Sequence, residues 1–293
     1  KLPEFKTLDD SIASLSIQYG KKLLDGDTSA VDALKKDLAE LRNRKIHLLK
    51  SAGFPEDYLE PVYDCPDCKD TGYIGNKKCH CFKKAIIGLL YDQSNIKKFP
   101  VEADFSNFRL DYYPVSHYDK KTGRSSRSMM EDTLRICHHF IDSFGTEFNN
   151  LFFYGDVGVG KTFLSTCIAK EIMNREYSVL YFSAPQLFNT LAKNAFDKND
   201  IDAHNMCEYI FDCDLLIIDD LGTEYTNAFI ASQFFTCINE RLLHRKSTII
   251  STNLSLESLA DLYTERSFSR ITSRYSLLKI VGDDIRIKKK LEH

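Results

Sequence analysis

Residues Gly155-Asp156-Val157-Gly158-Val159-Gly160-Lys161-Thr162 constrain this chain more than any other stretch. They fit G-x-x-x-x-G-K-[ST] at every fixed position, the spacing of a loop that cradles phosphate. Leu151-Phe152-Phe153-Tyr154 ahead of it reads as a buried strand. From Phe163 to Asn174, Leu164, Ile168 and Ile172 recur on one helical face. Strand, glycine-rich loop and helix is the context such a loop needs. The glycines let the backbone wrap an anion, and amides at the helix start point at it. In that setting Lys161 reaches the β- and γ-phosphates of a nucleotide, and the Thr162 hydroxyl holds Mg²⁺. A glycine-rich turn that happens to contain lysine is the bland alternative, and the context argues against it.

A second stretch completes the first. Leu215-Leu216-Ile217-Ile218-Asp219-Asp220 is an apolar run ending in two carboxylates. A strand covered on both faces is continuously apolar, and open parallel sheets bind ligands at their C-terminal ends. Asp219 is therefore expected to orient Mg²⁺ and Asp220 to polarise an attacking water. Two further strands are expected, over 178–183 and over 248–253. The second ends at Asn253, which is placed either to bond a water or the γ-phosphate, or to cap a helix starting near Ser255. Helices are expected over 130–144, 184–195, 201–211 and 226–244. Arg266, Arg270 and Arg286 lie in two arginine-bearing stretches near the end.

Ahead of this domain the signals change. Helical spacing over 8–24 and again to about Ser51, with a turn at 26–29 and a stop at Gly53 and Pro55, predicts a helical hairpin, either a structural module or a docking surface. Then come Cys65-Pro66-Asp67-Cys68 and Cys79-His80-Cys81, separated by a glycine-bearing stretch that reads as a tight hairpin. Four thiolates, Cys65, Cys68, Cys79 and Cys81, satisfy tetrahedral Zn²⁺ with no open position, as in a structural site. His80 could replace one of the last two. Free thiols or a redox pair are the other readings, but a redox C-x-x-C belongs with a thioredoxin-like pattern that is missing here. A helix is expected over 82–91, with Ile86, Leu89 and Leu90, and a boundary at 95–100. Residues 104–118 are rich in aromatics, and Lys120 to Arg127 is a short basic loop that reads as solvated.

Composition removes some classes. A net charge of −3 gives no general nucleic-acid signal, so any basic surface is local. No apolar run is long enough to span a membrane, and no signal-peptide pattern opens the chain. Nine cysteines, four of them clustered between Cys65 and Cys81, together with a phosphate loop predict a reducing cytoplasm and a metal site, not a disulfide framework. Leu291-Glu292-His293 reads as a tag junction.

Taken in order, these motifs resemble those of the AAA+ ATPases. Leu-Leu-Ile-Ile-Asp-Asp-Leu-Gly-Thr-Glu (215–224), Ser-Thr-Asn-Leu (251–254), Ser-Arg-Ile (269–271) and Gly-Asp-Asp-Ile-Arg (282–286) look like the DnaC/DnaI-type loaders of the bacterial replicative helicase. The Cys-x-x-Cys…Asp-Thr-Gly-Tyr…Cys-x-Cys segment looks like Gram-positive members, and the resemblance covers about Tyr63 to Lys290. It implies an α/β AAA+ P-loop NTPase with a central parallel sheet, preceded by a small helical zinc-binding domain. Residues 1–95 would be the N-terminal helicase-interaction domain, 96–128 a linker, 129–290 the ATPase domain and 291–293 a tag remnant. By the same resemblance Asn253 matches sensor 1, Arg270 an arginine finger acting on a neighbouring subunit's ATP, and Arg286 sensor 2. Residues 184–211 match the helical insertion of the initiator clade, which lines a single-stranded DNA path. The partners implied are the hexameric replicative helicase, single-stranded DNA and further copies of the chain. Asp219-Asp220 departs from the Asp-Glu of the wider superfamily but is common among the loaders, and the shorter Asp220 implies slow hydrolysis. An IstB-type transposition helper acting on duplex DNA shares nearly all these motifs, and a non-hydrolysing P-loop scaffold is a third reading.

Overall fold

The computed structural model describes residues 3–24, 30–55, 58, 61–82, 85, 103–197 and 199–291. The turn expected at 26–29, most of the helix expected over 82–91, the boundary at 95–100 and the last two residues lie outside the described residues. The chain divides into two compact units, Lys1–Asp70 and Thr71–His293.

In the first unit, α1 (Pro3–Leu24) packs against α2 (Ala30–Ser51). The contact follows the apolar stripes that the helical period marks. Leu8 and Leu49 are buried, and Ile12, Leu15, Leu34, Leu38, Leu41 and Leu48 are half-buried. Tyr19 donates to Asp37 at 2.7 Å, and Lys45 pairs with Asp9. The stripes are only partly covered, for Ile17 is 62% exposed, and Leu23 and Val31 are exposed too.

The second unit opens with a small antiparallel hairpin, β1 (Tyr73–Ile74) with β2 (Lys77–Lys78), where the glycine-bearing stretch predicts one. Its main sheet holds β3 (Leu151–Tyr154), β4 (Val179–Ser183), β5 (Leu215–Leu221), β6 (Ser247–Thr252) and β7 (Ser276–Lys279). The order is β4-β5-β6-β3-β7 and every pairing is parallel. The helices are α3 (Ser126–Asp142), α4 (Lys161–Asn174), α5 (Ala184–Phe196), α6 (Ile201–Asp212), α7 (Ala228–Leu243), α8 (Leu256–Arg274) and α9 (Ile285–Leu291).

Both faces of the sheet are covered, and the period-2 alternation of the strands assigns each residue to one of two cores. Leu215 and Ile217 join Phe153, Leu164, Ile168, Phe140 and Ile141 on the α3–α4 side. Leu216 and Ile218 join Phe152, Leu187, Phe188, Phe234 and Tyr263 on the α5–α8 side. That double burial is why these strands read as unbroken apolar runs.

Three details differ from expectation. α4 starts at Lys161 and not at Phe163, so the last two residues of the glycine motif are its first helical ones. β7 was not foreseen: it is a four-residue edge strand with two apolar residues, too short to carry a period. Residues 105–113, assigned from the sequence to a linker, pack into the α3–α4 core through Phe105, Phe108, Leu110, Tyr112 and Tyr113. The basic loop is held by its own neighbours. Arg124 pairs with Asp132, Arg127 Nε donates to the Tyr113 carbonyl at 3.2 Å, and buried Asp119 receives Thr122 and Lys279.

Candidate nucleotide site

The C-terminal ends of β3, β5 and β6 converge on one cavity of about 300 Å³. Parallel strands place their carbonyl ends and following loops on the same edge, so motifs far apart in sequence meet there. The Gly155–Thr162 loop follows β3, the Asp219-Asp220 pair lies one residue before the end of β5, and Asn253 follows β6.

Gly158 has φ +77, and a Cβ on it would collide with the Asp284 carboxylate. Glycine is thus required both by the backbone and by the close approach of the 282–286 segment. Ile285 N–H donates to the Gly158 carbonyl at 3.0 Å, which fixes that segment on the loop. Lys161 Nζ donates to the Gly155 carbonyl at 2.8 Å, the Asp156 carbonyl at 2.6 Å and Asn253 Oδ1 at 2.6 Å. Burial presses the Lys161 ammonium below its ordinary value, while Asp220, Asp219 and Asp156 push it back up. Thr162 Oγ1 donates to Asp219 at 3.0 and 3.2 Å. A hydroxyl and a carboxylate this close, at the mouth of a glycine loop, suit an oxygen-seeking cation such as Mg²⁺.

Asp220 lies in the same cavity. Burial raises its pKa above the ordinary carboxylate range, the charge of Asp219 adds to this, and Lys161 and Arg286 oppose it. Arg286 also lines the cavity. It donates to Asp284 at 3.0 Å from Nε and at 2.8 Å from a terminal nitrogen, which holds the Asp284 carboxyl below its usual range. The alternative of Asn253 as a helix cap is answered by Ser255, whose Oγ accepts from Ser258 N–H at 3.1 Å to start α8. Arg270 is outside the cavity. It is exposed on α8, with Nε donating to Asn239 Oδ1 at 3.2 Å.

The apolar wall of the cavity was missed in the sequence. Phe108, Tyr113, Phe163 and Ile285 line it. Tyr113 is buried and donates its phenol to the Val159 carbonyl inside the loop at 2.8 Å. The Phe108 and Tyr113 rings stack at 5.7 Å. A flat apolar slot beside a phosphate loop suits a nucleoside base. The aromatic density of 104–118 was the available signal, but it carries no spacing that points at the loop.

The four cysteines of the knuckle segment also come together. One sulfur from each of Cys65, Cys68, Cys79 and Cys81 lies within 4.8 Å of the others. The first three are buried and Cys81 is half-buried. Tetrahedral Zn–S bonds of about 2.3 Å place sulfurs roughly 3.8 Å apart, so this donor set fits Zn²⁺. Cys65 N–H donates to Asp70 Oδ1 at 2.8 Å, closing the knuckle turn. His80 is exposed, with Nδ1 3.5 Å from the Cys79 sulfur.

The chain is similar to known proteins. The model of the family described as IstB-like ATP binding protein matches residues 93–293. The phage-like element PBSX protein XkdC of Bacillus subtilis (strain 168) is 27% identical over 236 residues, 76% of this chain and 83% of that protein. The replicative helicase loader DnaC of Escherichia coli (strain K12) is 23% identical over 194 residues, 66% of this chain and 73% of its own. The crystal structure of DnaI matches in fold with a TM-score of 0.50 at 24% identity, covering 62% of this chain and 95% of that one. No helix among the described residues is long and apolar enough to cross a membrane.

Proposed function

Because the chain belongs to the family of IstB-like ATP binding proteins, we propose that it is an ATPase that loads the replicative DNA helicase onto single-stranded DNA during initiation or restart. One observation carries the reading: Lys161, Thr162, Asp220, Asn253 and Arg286, drawn from four separate segments, line one glycine-floored cavity, with Asp219 bonded to Thr162 behind it. The relative named as a replicative helicase loader supports the choice of partner.

Bound ATP supplies the phosphoryl bond to be cleaved, and Mg²⁺ neutralises charge on it. The chain's own residues do the rest. Amides of Gly155 to Thr162 and the Lys161 ammonium bind the phosphates, Thr162 and Asp219 hold the cation, and Asp220 orients the attacking water. Asn253 and Arg286 read the γ-phosphate from within the subunit. Arg270 serves the ATP of the next copy, and its exposed position outside its own cavity supports that role. Nucleotide state and assembly then depend on each other. Residues 184–211 line the DNA path. Residues 1–95 bind the helicase, and the exposed Ile17, Leu23 and Val31 of α1 and α2 support that surface. Zn²⁺ on Cys65, Cys68, Cys79 and Cys81 stiffens a segment with little apolar core. The protein works in the cytoplasm, where such thiols stay reduced.

The test is a size and mass analysis of the protein mixed with its host's replicative helicase, with and without ATP. A stable complex made through residues 1–95 supports the loader. ATP-dependent assembly on duplex DNA without any helicase complex moves the reading to a transposition helper, which the family's IstB-like name favours. ATP turnover unaffected by Lys161→Ala would mean the active site lies elsewhere. Arg270→Ala is expected to leave ATP affinity of the monomer unchanged and to cut assembly-dependent turnover about a hundredfold or more. A large loss of monomer affinity would overturn the role in trans.

A further inference from the structure

Ser251 sits on β6, fully buried, at the head of the Ser-Thr-Asn-Leu stretch in which only Asn253 has an assigned role. The register of β5 against β6 shows what it faces. Ile218 pairs with Ile250 and Leu221 pairs with Thr252. Two residues of β5, Asp219 and Asp220, therefore oppose a single residue of β6, Ser251. That is a β-bulge, the device that re-aims side chains at sheet ends. Regular alternation would send Asp219 and Asp220 to opposite faces of the sheet. The bulge instead turns the chain at Asp220, which has φ +55.

One hydroxyl closes this bulge. Ser251 Oγ donates to Asp219 Oδ1 and accepts Asp220 N–H at 3.0 Å. A serine hydroxyl has one proton to give and two lone pairs, so both bonds are met at once. The Asp220 amide, which the bulge removes from the strand ladder, gains its acceptor this way. The Asp219 carboxylate, also reached by Thr162 Oγ1, gains a second fixed donor. Two residues further along, Asn253 holds Lys161. The same stretch of chain thus fixes both acids and the loop lysine.

We propose that Ser251 is a positioning residue for the ATPase centre, holding the side chain of Asp219 and the backbone of Asp220 through a single hydroxyl across the bulge. This rests on the ATPase reading above, and it assigns to the buried first residue of the 251–254 stretch a role that the resemblance gives only to Asn253.

The pair Ser251→Thr and Ser251→Val tests it. The two variants have the same shape and differ only in the hydroxyl, so packing is held constant. The first readout is the Mg²⁺ concentration at half-saturation for binding a fluorescent ATP analogue, which needs no turnover. The second is the steady-state rate with assembly partners present. Ser251→Val is expected to raise the Mg²⁺ midpoint about tenfold or more over Ser251→Thr, the size seen when an outer contact to a metal ligand is lost. It is also expected to lower kcat about tenfold or more, with affinity for ATP in the absence of Mg²⁺ unchanged. Equal Mg²⁺ midpoints for the two variants overturn the proposal, even if their melting temperatures differ. If the unmodified protein turns over no ATP under any condition, the ATPase reading fails while the Mg²⁺ midpoints still decide the role of Ser251.

Discussion

Asp220 holds a place that a folding criterion alone would not choose. It has a left-handed backbone, a carboxylate beside Asp219 and a pKa raised first by burial and then by that neighbour. Strain of this kind persists where function requires it. Asp220→Asn tests the trade. Asparagine tolerates φ > 0 as aspartate does, so the backbone is kept and only the charge goes. A carboxylate whose folded value is raised costs stability above that value, and the cost vanishes as pH falls below the unfolded value of about 3.9. The nucleotide-free variant is therefore expected to melt about 2–4 °C higher at pH 7, with the gain disappearing below about pH 4. Its ATP turnover is expected to fall sharply. Melting curves at several pH values check this, and no gain at neutral pH counts against it. The residues that meet in the cavity were largely legible in the sequence, because the glycine motif and the apolar run ending in Asp-Asp have fixed spacings. Ser251 and Tyr113 were not. Ser251 acts through a bulge and Tyr113 through a contact 46 positions away, and although each lies in a stretch the sequence marks, no spacing points to either contact.

At the scale of elements, the apolar strands and the helix after the loop were readable because double burial makes them continuous or periodic. β7 escaped because four residues between a helix and a loop carry too little pattern. The break in α8 escaped for a different reason. Its sequence is helical on both sides, yet Thr264 has φ +78 and ψ 148, a region nearly reserved for glycine. Buried Tyr263 anchors the first half on the α5–α8 core, and Ile271 anchors the second. Arg270 lies in the second half, so the break sets the direction in which that half projects. Thr264→Gly removes strain of about 1–3 kcal/mol and adds back roughly 1 kcal/mol of unfolded-chain entropy. The expected outcome is a stabler protein by about 1 kcal/mol, read from thermal melting. A destabilised variant would show that the Thr264 side chain, whose hydroxyl lies 3.5 Å from that of Ser267, contributes more than its backbone costs.

In the nucleotide-binding unit the two ends of the sheet do different work. The C-terminal end gathers Lys161, Asp219 and Asp220. At the N-terminal end, Asp214 accepts Ser178 N–H at 3.0 Å, Ser178 Oγ at 2.6 Å and Lys246 Nζ at 3.1 Å. These three residues immediately precede β5, β4 and β6, so one carboxylate ties three strand starts together. Buried Asn150, just before β3, accepts Thr248 N–H at 2.8 Å and donates to the Arg274 carbonyl at 3.2 Å. A sheet fastened at one end can carry uncompensated charge at the other. The pH behaviour of the fastened end follows. Burial alone would raise the pKa of Asp214, but the Ser178 hydrogen bonds and Lys246 outweigh it, and the net shift is downward. Asp119 is shifted the same way, first by its hydrogen bond from Lys279. A depressed carboxylate contributes stability that is complete above the unfolded value of about 3.9 and is lost as pH falls through the lower folded value. Unfolding free energy is therefore expected to hold steady from neutral pH to about 5 on account of these two groups, then to fall steeply below about 4. Asp214→Asn is expected to lose about 1–2 kcal/mol at pH 7, toward the smaller figure because a third of the side chain meets solvent. The same variant should show a shallower decline below pH 4, because the proton it would have taken up has no site. Urea unfolding followed by circular dichroism across pH 3–7 reads both effects. Parallel curves for the variant and the unmodified protein in the acid range would mean that Asp214 is not among the groups whose protonation opens the sheet.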